Sequence, residues 1–426
     1  MKRFDSKKHS LAEILKRQNS QTLNVVTETN QILEAVQKEG DQALRHFTKL
    51  FDGHMLEDLA YPPAKIAAAI DAISPELVAV LTQAKANIST FHQRQTQQGF
   101  MQSQPGQVMG QQIVPLSRVG VYVPGGTAAY PSTVLMTVIP ALIAGVKEIV
   151  MVTPANEHGE ITPAVLAAAH LTGVTEIYPI GGAQAIAALA YGTETIQPVD
   201  KIVGPGNIYV ATAKKLVNGL VGIDTIAGPS DVLIVADSTA NPNWIAADLL
   251  AQAEHDVQAQ AILVTPDSDM IDQVAFALEK QVVDLPRQKI AAQSLLDHGK
   301  LILVNDLEEA ISIANQIAPE HLELAVADPF ALLGSVRHAG STFLGHHTPE
   351  VLGDYLAGPN HTLPTEGTAR FSSGLSVQDF VKRCSYLYYS AAAAKDIRAS
   401  VIEFAEAEGL SGHAFSMAIR GEDVEL

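Results

Sequence analysis

The sequence has very little cysteine and a shortage of basic residues. Its one cysteine in 426 residues, Cys384, excludes an internal disulfide and suits a reducing cytoplasm. Lys and Arg number 28 against 46 Asp and Glu, so the formal net charge is −18. Nucleic acid and anionic membranes are therefore not expected as partners, because both would repel such a chain.

Signals for export or membrane insertion are also missing. The basic start MKRFDSKKHS leads into no apolar core of a signal peptide, so export is not expected. The most apolar stretch, STVLMTVIPALIAGV, is too short to span a bilayer and carries Pro140 in its middle. We interpret it as a buried helix.

What the sequence does contain is an alternation of short strands and helices. Apolar residues make up 47% and charged residues 17%, as in a globular protein of two or three domains. After the Gln-rich segment HQRQTQQGFMQSQPGQ, which is either a surface excursion or a joint, β-branched runs alternate with Ala-rich helical text. The strand candidates are VGVYV, EIVMVT, EIYPI, DKIVG, DVLIVAD, AILVT, LILV, HLELAV and STFLG. This alternation predicts parallel sheets covered on both faces.

The predicted fold class is α/β, with two doubly wound, incomplete Rossmann-like parallel-sheet domains and helical N- and C-terminal extensions. The predicted division is an N-terminal extension (1–20), a discontinuous first α/β domain (21–118 with 237–375), a second α/β domain that binds NAD (119–236) and a helical tail (376–426). The tail cannot make its own core, so it must dock on something.

Three glycine-rich turns follow strands of the second predicted domain: PGG at 124–126, GGAQ at 181–184 and GPGN at 204–207. Such turns let backbone amides approach a phosphate at a helix N-terminus. None is a GxGxxG fingerprint or a P-loop, and each alone is better explained as an ordinary tight turn. Three on successive units favour a nucleotide crevice.

A predicted helix, NPNWIAADLLAQAEHD, changes character along its buried stripe. Ile245 and Leu249 are followed at helical spacing by Gln252 and His255. A buried amide and imidazole need partners, because an unsatisfied polar group costs about 1–3 kcal/mol. We expect either another side chain or a metal to meet them.

Further candidate groups lie in three segments. APEHLEL places Glu320 and His321, two proton carriers of different pKa, just before a strand, although a solvated loop pair is the commoner explanation of such a sequence. Both can serve one site only if that junction is irregular. The long polar loop GDYLAGPNHTLPTEGTAR carries Asp354 and His361, and loops of this length are usually functional. EGLSGHA, in the tail, carries a Glu and a His.

These segments together resemble the histidinol dehydrogenase family. The resemblance rests on VGVYVPGGTAAYPSTVLM, GGAQAIAALAYGT, DKIVGPGNIYV, AGPSDVLIVAD, DLLAQAEHD, APEHLEL, GDYLAGPNHTLPTEGTAR and EGLSGHA, in this order from about residue 115 to 415. Small departures such as Asp231 fall at positions that we do not predict to be catalytic. The first hundred residues share only the family's general character.

The resemblance implies an NAD-dependent, zinc-dependent oxidation of L-histidinol through histidinal to L-histidine, the last steps of histidine biosynthesis. It implies one Zn²⁺ per subunit on Gln252, His255, Asp354 and His413. Family members are similar in being homodimers whose C-terminal segments cross over. His413 would then complete the partner's site, which also accounts for a tail without its own core.

The residues allow an independent check on this chemistry. Many aldehyde dehydrogenases use a cysteine thiohemiacetal, but Cys384 lies away from every glycine turn and candidate ligand, and we predict it to be a small buried apolar residue. Water must then be the nucleophile. His321 is predicted to take the alcohol proton and later the hydrate proton, and the resemblance implies that Glu320 activates the water. Zinc would mainly clamp the substrate's imidazole and amine.

The remaining expectations come from matched family positions. Contacts to the substrate are expected from Ser230, Gln252, His255, His321, Asp354, His361, Glu408 and His413, and contacts to NAD from Tyr122, Gln184 and Asn207. Two other classes remain open. A zinc hydrolase acting on a small amide would leave the glycine turns without purpose and lacks HExxH, and a non-catalytic nucleotide-binding sensor would leave the Glu–His pair idle.

Overall fold

The computed structural model describes residues 1–16, 23–125, 129–226 and 228–421. The predicted boundary between residues 20 and 21 and the last glycine of the PGG turn lie outside the described residues. The chain divides into two compact units: a first unit of Met1–Gln95 and Leu116–Phe380, and a second unit of Thr96–Pro115 and Val381–Leu426.

The described residues form the following strands and helices. The strands are β1 (Lys2–Asp5), β2 (Phe100–Gln104), β3 (Gln107–Pro115), β4 (Arg118–Tyr122), β5 (Glu148–Val152), β6 (Glu176–Tyr178), β7 (Lys201–Val203), β8 (Gly222–Ile223), β9 (Asp231–Ala236), β10 (Gln260–Thr265), β11 (Lys300–Leu303), β12 (His321–Ala325), β13 (Ser341–Leu344) and β14 (Val381–Tyr389). The helices are α1 (Leu11–Leu15), α2 (Leu23–Glu39), α3 (Asp41–Asp52), α4 (Pro63–Ala68), α5 (Pro75–Gln93), α6 (Pro131–Ala144), α7 (Pro163–Thr172), α8 (Gly182–Tyr191), α9 (Ile208–Val217), α10 (Pro242–Ala253), α11 (Ser268–Gln281), α12 (Gln288–Asp297), α13 (Leu307–Ile317), α14 (Pro329–Leu333), α15 (Glu350–Tyr355), α16 (Ala391–Ala407) and α17 (Ser411–Ala418).

The first unit contains a six-stranded parallel sheet in the order β1-β11-β10-β9-β12-β13. Successive side chains of β9 alternate between two cores. Val232 and Ile234 pack with α10, α11 and α12, whereas Leu233 and Val235 pack with α1 and α13. Helices on both faces explain why DVLIVA is apolar at almost every position.

The second parallel sheet of the first unit has five strands in the order β6-β5-β4-β7-β8. One face packs against α6 and α7 and the other against α8 and α9. The α/β class with two parallel sheets is therefore confirmed.

The domain boundaries differ from those predicted. Helices α2 and α3 pack on α8 and α9, and α4 and α5 extend the core on α6 and α7, so residues 23–93 cover the five-stranded sheet rather than the other one. Strand β9 belongs to the six-stranded sheet, as does β1, which was predicted to lie in a separate extension. Apolar periodicity marks a face that must be buried, but it does not say against which sheet.

The second unit is an antiparallel sheet, β14-β3-β2, followed by α16 and α17. The tail is helical from residue 391, as predicted, but the prediction was wrong for β14, whose aromatic-rich text favours a strand. The Gln-rich segment supplies a hairpin that turns at Gly106, with a φ of 75°. Cys384, predicted to be buried, is exposed on β14.

The second unit buries little apolar surface among its described residues. Its buried apolar side chains are three alanines, at 393, 405 and 414. Large apolar side chains remain exposed on both its sheet and its helices: Phe100, Met101, Met109, Tyr386, Leu387, Tyr388, Val401, Phe404, Leu410, Phe415 and Ile419. This composition agrees with a segment that cannot stabilise itself. No helix in the described part of the chain combines the length and the apolar character of a membrane span.

Candidate active site

Glu320 and His321 lie together at the edge of the six-stranded sheet where its strands begin. Helix α13 ends at Ala318, whose left-handed backbone (φ 52°, ψ 63°) is unusual for a residue with a side chain. Pro319 follows, and β12 begins at His321. The junction is therefore irregular, which was the condition for both residues to serve one site. Glu320 Oε2 lies 4.0 Å from His321 Nδ1, and both residues are 5% exposed.

Glu320 is held by Asp231, the first residue of the neighbouring strand β9. The Glu320 N–H donates to Asp231 Oδ1 at 2.7 Å, and the Asp231 N–H donates to Glu320 Oε2 at 3.1 Å. Burial and the charge of Asp231 raise the pKa of Glu320 well above its ordinary value, while hydrogen bonds from the Asp231 N–H and the Ser230 side chain act against the rise. Such a carboxyl is a stronger base than an ordinary surface glutamate.

His321 has two ring nitrogens without a hydrogen-bond partner among the described residues. Nδ1 lies 3.4 Å from Glu350 Oε2, and Nε2 lies 3.8 Å from Asp354 Oδ1. Burial, followed by the charge of His255, lowers the pKa of His321 to about 3. The imidazole is therefore neutral near pH 7, so one of its two ring nitrogens carries no proton.

The polar end of α10 carries two further predicted site residues. Gln252 is 1% exposed, and its Nε2 has no hydrogen-bond partner among the described residues. His255 follows the end of the helix, where its N–H donates to the Gln252 carbonyl at 3.2 Å. The prediction of a buried imidazole is wrong for His255: the helix ends at Ala253, so His255 lies beyond the stripe and is exposed, although desolvation still lowers the pKa of its imidazole. The charge of His255 also lowers the pKa values of His321 and His361, which places these imidazoles near one another.

The loop after β13 contributes Asp354 and His361. Asp354 lies in the last turn of α15, and burial raises its pKa to about 6. The Asp354 carbonyl lies 3.1 Å from His361 Nδ1, and burial lowers the pKa of His361 to about 4. His361 Nε2 lies 3.4 Å from Thr133 Oγ1, at the start of α6, so this loop joins the edge of one sheet to the layer that covers the other.

The predicted zinc ligands are divided between the two units. Gln252, His255 and Asp354 belong to the first unit, whereas His413 lies on α17 of the second unit and Glu408 ends α16 there; both are exposed. Within the described chain, no three His, Cys, Asp or Glu side chains are grouped as a metal site. The predicted set counts an amide as one ligand, so the first unit by itself contributes only two side chains of these types, His255 and Asp354.

The three predicted NAD contacts lie where strands of the five-stranded sheet end. Tyr122 ends β4, Gln184 is in the first turn of α8 and Asn207 caps α9. The Tyr122 hydroxyl accepts the Gly182 N–H at 3.1 Å, and burial raises its pKa to about 12. Gln184 buries both amide atoms without a hydrogen-bond partner among the described residues. Asn207 Oδ1 instead accepts two N–H groups of α9, at 3.0 and 3.1 Å.

A buried ion pair between Lys214 and Asp224 holds the backbone of the GPGN turn. Lys214 donates to Asp224 and, at 2.9 Å, to the Gly204 carbonyl, while Asp224 Oδ2 accepts the Gly204 N–H at 2.7 Å. Gly204 has a φ of 114°, and a Cβ there would lie 2.1 Å from the Tyr122 carbonyl oxygen. Glycine is thus required at this position.

Comparisons with known proteins agree with this geometry. The family model for histidinol dehydrogenase matches residues 15–421. The histidinol dehydrogenase of Streptococcus mutans is 51% identical over 99% of this chain and 100% of its own length. The crystal structure of histidinol dehydrogenase from Elizabethkingia anophelis superposes with a TM-score of 0.93 and 39% identity, covering 99% of this chain and 98% of that one.

The chain belongs to the histidinol dehydrogenase family. It is therefore an oxidoreductase. An acetylating aldehyde dehydrogenase from Geobacillus thermoglucosidasius, 12% identical with a TM-score of 0.50 over 86% of this chain and 98% of that one, shares the fold alone.

Two acidic residues beside the histidinol dehydrogenase candidates were missed from the sequence. Asp231 was set aside as a departure of no catalytic weight, yet it contacts Glu320. Glu350, 2% exposed and the closest acid to His321 Nδ1, begins α15 one helical turn before Asp354. The i, i+4 spacing of Glu350 and Asp354 could have been noticed, because such residues share a helix face.

Proposed function

We propose that this protein oxidises L-histidinol through histidinal to L-histidine in the cytoplasm, with two NAD⁺, one water and one Zn²⁺ per subunit, as the last steps of histidine biosynthesis. The observation that carries the proposal is the buried Glu320–His321 pair, which lies at one sheet edge with Asp354 3.8 Å from His321. Two proton acceptors of different character are what two successive oxidations need.

The residues present suit both implied groups. The Gln252 amide, whose Nε2 has no hydrogen-bond partner among the described residues, offers Zn²⁺ an oxygen ligand, as Asp354 does, and His255 offers a nitrogen ligand. The unpartnered Gln184 amide at the start of α8 supports a polar ligand at the glycine turns. When bound, zinc would clamp the substrate's imidazole and amine, and NAD⁺ would accept the hydrides.

The chain's own residues then divide the proton chemistry. His321, neutral because it is buried, takes the hydroxyl proton of histidinol as the first hydride leaves. Glu320, whose raised pKa makes it a better base, takes a proton from the water that adds to histidinal. The protonated His321 returns its proton to the carbonyl oxygen of histidinal as the water adds, which completes the hydrate, and the neutral imidazole then takes the hydrate's proton during the second oxidation. The exposed Cys384 needs no part in this scheme.

The test is NADH absorbance on mixing the purified protein with NAD⁺ and histidinol. Two NADH per histidinol are expected, and one per histidinal supplied directly. Glu320→Gln should impair histidinal oxidation more than histidinol oxidation, since only the second step consumes water. Absence of NADH with the wild-type protein would refute the function and favour a zinc hydrolase or a nucleotide sensor.

The proposed active unit is a homodimer with shared sites, whose remaining ligand comes from the partner. The exposed apolar side chains of the second unit, among them Phe404 and Phe415, support docking on another protein surface. Glu408 would meet the substrate's amino group and His413 the zinc, while Ser230 and His361 would contact the substrate from the first unit.

A further inference from the structure

Glu320 lies just outside the regular pairing of β9 with β12. That pairing begins with His321 opposite Val232, so the strand ladder does not hold the Glu320 N–H. The preceding Pro319 has no N–H, and Ala318 has left the helix in a left-handed conformation. The Glu320 carbonyl accepts the Ser341 N–H at 2.9 Å, which fixes that side of its backbone alone.

Asp231 supplies the hydrogen bonds to Glu320 that the strand ladder does not. Its Oδ1 accepts the Glu320 N–H at 2.7 Å, and its own N–H holds Glu320 Oε2 at 3.1 Å. The two residues thus exchange side-chain and backbone bonds in the reciprocal manner of a helix capping box, but across two strands. Asp231 is 1% exposed, so water does not compete freely for these bonds.

We propose that Asp231 is a positioning residue for Glu320: its side chain fixes the Glu320 backbone while its N–H fixes the Glu320 carboxylate for water activation. This inference rests on the function proposed above, because it gives Glu320 that role. Without the Asp231 acceptor the Glu320 N–H loses its partner and the junction after Ala318 can relax. A displacement of about 1 Å at a reacting group can cost roughly 10²-fold in rate.

The experiment compares three variants in two assays, the first NADH formed from histidinol in a single turnover and the NADH formed from supplied histidinal. Asp231→Ala removes the acceptor and should lower kcat for histidinal oxidation about 10²-fold, with a smaller loss for histidinol oxidation and little change in KM. Asp231→Asn keeps an acceptor oxygen of the same size and should restore kcat for histidinal to within about tenfold of wild type.

Asp237→Ala is the matched control. Asp237 follows the other end of β9, where its carboxylate accepts the Thr239 and Ala327 N–H groups, both at 2.9 Å. The Asp237→Ala variant therefore loses comparable hydrogen bonds from a side chain to the backbone, at the opposite edge of the same two strands. Its two oxidations should fall together or not at all, and thermal unfolding of each variant separates lost stability from lost positioning.

A double-mutant cycle shows whether Asp231 acts through Glu320. In a Glu320→Gln background, Asp231→Ala should change the histidinal rate less than about threefold, because the group that it positions is already disabled. Full additivity, equal losses in both oxidations, or an Asp231→Ala variant with wild-type rates would overturn the inference. A wild-type protein that makes no NADH would instead refute the proposed function, so the two failures are distinguishable.

Discussion

Active-site sharing between two chains can be tested by mixing inactive variants. His413→Ala removes a proposed ligand carried by the second unit, and His321→Gln removes the base carried by the first unit. If the second unit crosses over, a mixed dimer holds one site with both defects and one site with neither. If each chain completes its own site, every site in the mixed dimer carries one defect.

The expected magnitude follows from counting sites. Equal amounts of the two variants, dissociated and allowed to pair at random, give about half mixed dimers, and each has one intact site of two. Activity should therefore recover to about a quarter of the wild-type value per mole of chain. NADH formation from histidinol is the assay, and each variant dissociated and re-formed alone sets the baseline.

Matched controls make the result specific. Mixing His413→Ala with Glu408→Ala, both in the second unit, should restore no activity. Each site in such a mixed dimer receives a second unit that carries one of the two defects. Mixing His321→Gln with Gln252→Ala, both in the first unit, should also restore nothing. Inactivity of verified His413→Ala/His321→Gln mixed dimers would refute crossover while leaving the ligand assignment itself untouched.

Four further predictions concern chemistry and stability. His321→Gln should lower kcat by about 10²–10⁴, whereas Cys384→Ala should leave it nearly unchanged, as NADH rates will show. A chelator should abolish activity but preserve the circular dichroism spectrum, because both sheets have their own cores; wholesale loss of structure would make the metal structural. Lys214→Met leaves the buried Asp224 carboxylate without its partner and should lower the free energy of unfolding, measured in urea, by about 3–5 kcal/mol. The loss should be smaller when Asp224→Asn accompanies it. Burial raises the pKa of Asp52 to about 6, so this carboxyl destabilises the folded state progressively from about pH 4 to about pH 6 and fully above that. Asp52→Asn should therefore raise Tm at about pH 8, by an amount that shrinks as the pH falls below about 6, and a pH-independent gain would contradict this.

The sequence predicted the parts of the site that local spacing encodes. Gln252 continues the apolar stripe of α10, and the structure buries it with its Nε2 lacking a hydrogen-bond partner among the described residues. His255 was predicted to continue the same stripe, but the helix ends at Ala253 and His255 is exposed. Strand–turn–helix alternation likewise predicted both parallel sheets. In each case the signal lies within one element, where the period of the backbone sets which residues share a face.

Contacts between segments that are distant in the sequence could not be predicted from local spacing. Asp231 meets Glu320 across 89 positions of sequence, and no periodicity connects a strand start with the end of a later helix. The same limit explains why the domain boundaries were predicted wrongly. An amphipathic helix such as α2 must pack on a sheet, but its sequence does not say on which of the two sheets. For β14, the aromatic-rich text that favours a strand was outweighed in the prediction by the alanine-rich helix that follows.

The arrangement of the two sheets also separates the proposed ligands by charge. Tyr122, Gln184 and Asn207 lie where the strands of one sheet end and helices α8 and α9 begin, and helix N-termini favour phosphate. Gln252 and Glu320 lie where strands of the other sheet begin, beside the ends of α10 and α13, and helix C-termini favour cations. Zinc and the substrate's amine therefore suit the second edge as the dinucleotide suits the first. The His361–Thr133 contact connects the loop at the second edge with the helical layer over the first sheet, and in the proposed reaction the hydride would pass between these two edges.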